Sequence, residues 1–231
     1  MKTGMRTGKK GTLLLRALLK LLAGVLLVGF LLFLPAGTLH YGGAWLLFAV
    51  LFLPMLLLGA VLLVKAPTLL EKRIGVKERE KTQKGVVAVS GLLFVAGFLV
   101  AGLDFRFGWS HVPVWVTVAA AVVFLIAYAL YAEVMRENAY LSRTVEVQEG
   151  QRVIDTGLYG IVRHPMYAVT VWMFLSIPLI LGSWYALLCL LPYPVVIALR
   201  IRNEERVLAE GLPGYTDYQK RVRYRLLPLV W

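Results

Sequence analysis

The densest concentration of groups able to do chemistry is the run Asp155-Thr156-Gly157-Leu158-Tyr159-Gly160-Ile161-Val162-Arg163-His164-Pro165-Met166-Tyr167. Its two glycines permit backbone turns that other residues resist. Pro165 suits the first turn of a helix, where its missing N–H costs nothing. An apolar helix is therefore expected to start at Pro165, with Arg163 and His164 just outside it. A helix N-terminus offers free N–H groups and a partial positive charge, which favour an anionic ligand group. Arg163 adds a planar, permanently charged fork suited to a carboxylate. An arginine at that end of a helix also needs an acidic partner, and Tyr167, one turn inside, needs a partner for its hydroxyl where water is scarce. The plainer alternative is a headgroup boundary, at which arginine and tyrosine are ordinary.

A second cluster is Arg200-Ile201-Arg202-Asn203-Glu204-Glu205-Arg206-Val207-Leu208. Helical spacing pairs Arg200 with Glu204 and Arg202 with Glu205. Adjacent glutamates point about 100° apart on a helix, so one at most faces a given pocket squarely. Gly211, Pro213 and Gly214 then break the helix, and Tyr215, Tyr218, Lys220, Arg221, Arg223 and Arg225 follow. Such an aromatic and basic tail either lies on anionic lipid or folds back as a lid.

The elements that position these residues are legible in the charge pattern. Hydrophobic residues make up 59% of the 231 and charged residues 16%, against roughly 45–50% and about 25% in soluble domains. That excludes disorder and an ordinary soluble enzyme. Residues 21–64, 85–103, 107–132 and 164–199 contain no Asp, Glu, Lys or Arg. A spanning helix needs about 20 apolar residues, so the first and fourth runs hold two helices each and the others one. Six spans follow, with breaks at Pro35, Gly37 and Gly42-Gly43 and at Gly182-Ser183. The basic start reads as part of a retained first helix, since no small-x-small cleavage site follows it.

Orientation follows from the basic residues. Alternate polar segments (1–20, 65–84, 133–163 and 200–231) hold 24 of the 25 Lys and Arg. The positive-inside rule puts those segments, and both termini, in the cytoplasm. The net charge of +12 thus belongs to membrane-flanking loops, and no nucleic-acid partner is expected. Cys189 is the single cysteine, and His40, His111 and His164 are scattered, so no metal site is expected. Neither a G-x-G-x-x-G nor a G-x-x-x-x-G-K-[ST] run occurs.

The run Gly157-Leu158-Tyr159 followed by Arg163-His164-Pro165-x-Tyr167 resembles the cofactor motif of the isoprenylcysteine carboxyl methyltransferase and phospholipid methyltransferase superfamily. Glu204-Glu205-x-x-Leu208, Gly214-Tyr215-x-x-Tyr218, Arg225 and Pro228 are similar to its C-terminal signature. The likeness covers about residues 150–231. It implies an all-α polytopic transmembrane bundle of about six spans, with a cytoplasmic C-terminal helical segment closing a cofactor pocket. Residues 1–84 would be an N-terminal helix pair with a basic loop, and 85–231 the methyltransferase core.

The implied activity is methyl transfer from S-adenosylmethionine to a lipophilic acceptor in the bilayer, either a carboxylate of an isoprenylcysteine-like molecule or a lipid amine. Carried over, His164, Pro165, Tyr167 and Glu205 would meet the cofactor, with Gly157 and Tyr159 shaping its loop. Arg163 and Glu204 would be catalytic, the first holding an acceptor carboxylate, the second serving as base for an amine. No metal or catalytic cysteine is implied, because a sulfonium methyl is already activated. An NADPH-dependent reductase of the sterol-reductase type and a non-catalytic scaffold or transporter are the competing expectations.

Overall fold

The computed structural model describes residues 7–75, 81–141 and 147–231. Residues 1–6, 76–80 and 142–146 lie outside this set, and with them parts of the basic segments at 1–20, 65–84 and 133–163. The described residues form an all-helical bundle. Its helices are α1 (Thr7–Ala36), α2 (Gly42–Lys65), α3 (Pro67–Ile74), α4 (Lys81–Phe107), α5 (Val114–Glu137), α6 (Pro165–Ile180), α7 (Trp184–Leu190), α8 (Tyr193–Gly211) and α9 (Tyr215–Arg221).

Among the described residues, five stretches are long and apolar enough to cross a membrane: α1 from Lys10, α2, α4 from Gln83, α5, and the continuous pair α7–α8. The helix expected to start at Pro165 does start there, but α6 has only 16 residues. The six expected spans therefore become five long ones and a shorter apolar sixth. The break at Gly182-Ser183 falls as expected. Gly182 adopts φ +80°, a left-handed conformation that a side chain resists, and the Ser183 hydroxyl caps α7 by accepting from the Ala186 N–H at 3.0 Å. The interruption between α7 and α8 at Leu191-Pro192 was not expected. Pro192 has no N–H to give, and the next helix begins directly after it.

The core is one apolar cluster shared by most spans. Leu32 of α1, Ala44 and Leu47 of α2, Ala101 of α4, Phe124 of α5 and Ile180 of α6 are fully enclosed in it. Leucines 15, 19, 22, 26 and 27 on α1 face outward, as a lipid-facing surface requires. At one end the loops are tied by buried polar groups. The Tyr41 hydroxyl donates to the Leu181 carbonyl at 2.6 Å. The Asp104 carboxylate accepts from the Ser110 N–H at 2.7 Å, the Ser110 hydroxyl at 2.6 Å and the Ser183 hydroxyl. These bonds hold the connections after α1, α4 and α6 together. At the opposite end lie α3, the segment after α5, the start of α6, the end of α8 and the chain beyond it. All the chemistry-bearing residues gather there.

Candidate active site

The loop before α6 is shaped by a single turn of 3-10 helix, Gly157–Gly160. Gly157 enters it with φ +54°, and a Cβ there would sit 3.3 Å from the Glu137 carboxyl carbon. The turn buries Tyr159 against Leu69, Val134, Met135 and Leu141. Its hydroxyl accepts from the Asn138 side-chain amide at 3.0 Å, while its carbonyl accepts from the Tyr218 hydroxyl at 2.7 Å. Burial disfavours the phenolate and raises the pKa of both phenols above the ordinary tyrosine value.

Past this turn the chain runs beside the tail. The Arg163 N–H donates to the Tyr224 carbonyl and the His164 N–H to the Arg225 carbonyl, both at 2.9 Å. The Arg163 guanidinium reaches across, with Nε donating to Glu205 Oε1 at 2.7 Å and Nη1 to the carbonyls of Val222 and Arg223 at 2.7 and 2.9 Å. Arg225 Nε donates to the other Glu205 oxygen at 2.8 Å, and His164 Nε2 is 3.3 Å from Oε1. The acidic partner that Arg163 needs is thus Glu205. That glutamate points inward instead of pairing with Arg202, which is exposed. The tail folds back over the helix ends.

Tyr167 also finds its partner. Its hydroxyl donates to Glu204 Oε2 and accepts from Arg200 Nε at 2.8 Å. His164 Nδ1 stands 3.9 Å from Glu204 Oε1. The two glutamates therefore diverge as helical geometry requires, and His164 lies between them.

These groups border a cavity of about 840 Å³ that includes an open mouth. Arg163, His164, Met166 and Tyr167 form one wall, and Arg200, Glu204 and Leu208 of α8 another. Leu212, Tyr215 and Tyr218 close it from the tail side, while Asn138, Tyr140, Gln148, Gln151 and Arg152 line the loop side. Of the residues expected from sequence, Tyr159, Arg163, His164, Tyr167 and Glu204 line the cavity. Gly157, Pro165 and Glu205 are absent from its lining and stand behind the wall. The loop-side residues and the wall position of Arg200 were missed. They lie in irregular chain with no periodicity to mark a face, and Arg200 reads first as a salt-bridge partner on an exposed helix.

Comparison with known proteins bears on this end of the molecule. Residues 114–213 match the phospholipid methyltransferase family model. The match bears out the resemblance seen in the motifs. It runs from the start of α5 to the turn after α8, so it contains both glutamates and the Arg163-His164-Pro165 run, and it stops before Tyr215. The chain is also similar to the uncharacterized protein YpbQ of Bacillus subtilis (strain 168), with 31% identity over 98 residues. That likeness covers 42% of this chain and 58% of the relative, so the chain spans little more than half of the relative's length.

Proposed function

We propose that this protein is an integral-membrane methyltransferase that uses S-adenosylmethionine and modifies a lipophilic acceptor drawn from the bilayer. The observation that carries the reading is the cavity. His164, Tyr167 and Glu204, all within the segment that matches the phospholipid methyltransferase family, form adjoining walls of it at one end of an apolar bundle.

The residues fit the cofactor. S-adenosylmethionine is a zwitterion with a sulfonium and a polar nucleoside. The cavity offers a carboxylate in Glu204, cations in Arg152 and Arg200, amides in Asn138, Gln148 and Gln151, and tyrosine rings. It also contains a buried phenol, Tyr215, whose oxygen has no hydrogen-bond partner among the described residues. When bound, the cofactor supplies a methyl group already activated for transfer. The protein's task is then alignment and exclusion of water.

In this reading Glu204 has two functions. Its carboxylate balances positive charge in a site of low dielectric, and it takes a proton at Oε1 or Oε2 when the acceptor is an amine. Tyr167 fixes its orientation, and Arg200 fixes Tyr167. Arg163 lines the cavity, but its Nε and Nη1 are committed to Glu205 and two tail carbonyls. We therefore assign Arg163 and Glu205 to holding the tail across the site, with Gly157 and Pro165 setting the backbone around it. Residues 85–231 hold the reaction core, and residues 1–84 complete the bundle that meets lipid. The distribution of basic residues supports a cytoplasmic site.

The test is calorimetric titration of detergent-purified protein with S-adenosylhomocysteine, beside the Glu204→Gln and His164→Ala variants. Saturable binding weakened by either change is expected. Absence of binding to folded wild-type protein, with binding of NADPH in its place, would overturn the proposal in favour of a reductase.

A further inference from the structure

Tyr215 opens α9, one residue after the left-handed Gly214 that caps it. Its ring packs with Leu212, Tyr218 and Val222 and forms part of the cavity wall. Its hydroxyl oxygen is closed off from solvent and has no hydrogen-bond partner among the described residues. Three residues on, Tyr218 occupies the same small cluster, and its hydroxyl does have a partner in the Tyr159 carbonyl. Were a ring all that the cluster required, phenylalanine at 215 would fill the space without a stranded hydroxyl, which is costly to bury. The position lies beyond the segment that matches the family model, in the Gly214-Tyr215-x-x-Tyr218 run.

We infer that the Tyr215 hydroxyl is a ligand contact that donates a hydrogen bond to an uncharged acceptor atom of the nucleoside bound in the cavity. The inference rests on the proposed function and names one more contact of that site. Burial and the nearby carboxylates of Glu205 and Glu204 keep the phenol protonated, so it offers an O–H. The two carboxylates outweigh the Arg163 guanidinium that also acts on this point, which disfavours a ligand carboxylate there. A ligand ammonium has a better partner in Glu204, which stands on the cavity wall. What remains is a neutral acceptor, such as a ribose oxygen or a ring nitrogen of the purine.

The experiment compares wild-type protein with Tyr215→Phe, and uses Tyr218→Phe as the structural control. Thermal unfolding without ligand is measured first. Tyr215→Phe should melt at or above the wild-type temperature, and Tyr218→Phe below it. Calorimetry with S-adenosylhomocysteine should then show Tyr215→Phe binding about 3- to 10-fold more weakly than wild type. The same loss should persist with 5′-methylthioadenosine, which keeps the nucleoside and lacks the amino-acid end. Equal affinity in both proteins overturns the inference, and so does a loss that disappears with 5′-methylthioadenosine. A lowered melting temperature of Tyr215→Phe also overturns it, because the hydroxyl would then have a structural role. Failure of wild-type protein to bind either ligand strikes the proposed function itself, a result separate from these.

Discussion

Glu204 and Glu205 are neighbours in the chain and face opposite sides of one wall. Glu204 borders the cavity, with the Tyr167 hydroxyl bonded to its carboxylate. Glu205 faces the packed interior, where Arg163, Arg225 and His164 surround its two oxygens. One turn of helix thus presents one carboxylate to the cavity and one to the packed interior.

Removing Arg163 should unsettle the fold. Its side chain and that of Glu205 are only 6% and 7% exposed, and it also holds two tail carbonyls. Breaking such a buried pair typically costs about 3–5 kcal/mol. Arg163→Ala should therefore lower the thermal midpoint in detergent and expose the tail to protease. An unchanged midpoint with a protected tail would mean that the main-chain bonds to Tyr224 and Arg225 suffice. The sequence-based view of Arg163 as a headgroup-level side chain predicts no such loss.

Glu204→Gln should behave in the opposite way. The amide keeps the shape and can still accept from Tyr167, so the melting temperature should stay close to wild type. Turnover should fall by about 10²–10⁴-fold if the carboxylate takes a proton from the acceptor. Transfer of labelled methyl from S-adenosylmethionine into a membrane lipid extract measures this. Full activity would remove Glu204 from the chemistry.

Gly157→Ala probes the loop that carries Tyr159. The backbone is left-handed there, and a Cβ would crowd the Glu137 carboxyl group at 3.3 Å. A left-handed conformation costs a non-glycine residue about 1–2 kcal/mol, so a fall in the midpoint of a few degrees is expected. Unaltered melting would show that the turn relaxes freely.

Alkaline pH should destabilise the protein through its buried phenols. Tyr159, Tyr215 and Tyr218 ionise less readily than free tyrosine, chiefly because of burial. In the unfolded chain they lose protons near pH 10. Above that pH the unfolded state holds fewer protons than the folded one, so stability declines as pH rises. Melting midpoints should hold steady to about pH 9 and then drop, with a shallower drop in a Tyr215→Phe, Tyr218→Phe double variant. Identical slopes in the two proteins would show that these phenols titrate freely.

Much of the bundle is readable from sequence because apolar runs and turn residues are local signals. The start of α6 at Pro165 and its end near Gly182-Ser183 needed no tertiary information. The need of Arg163 for an acid was also legible, but its partner was not, since Glu205 lies 42 residues away. Local helical spacing pointed Glu205 to Arg202, and the tail's return changed that choice by supplying a partly buried cation in Arg225. The tail itself could have covered either lipid or protein, as basic and aromatic residues suit both. Asp104 was invisible for a similar reason: the serines it holds come from two separate turns.

The brevity of α6 has a consequence for the depth of the cavity. Sixteen residues rise about 24 Å, roughly 6 Å less than the hydrocarbon thickness of a typical bilayer. Its far end is pinned to the same loops as its longer neighbours, by Tyr41 to Leu181 and by Asp104 to Ser183. In a bilayer of that thickness the shortfall would be taken up at the Pro165 end, drawing Arg163, His164 and the cavity floor towards acyl-chain depth or thinning the lipid around them. On the proposed function, a greasy acceptor would not have to climb into water to be modified. It would meet the polar chamber from below, with its tail still dissolved in the membrane.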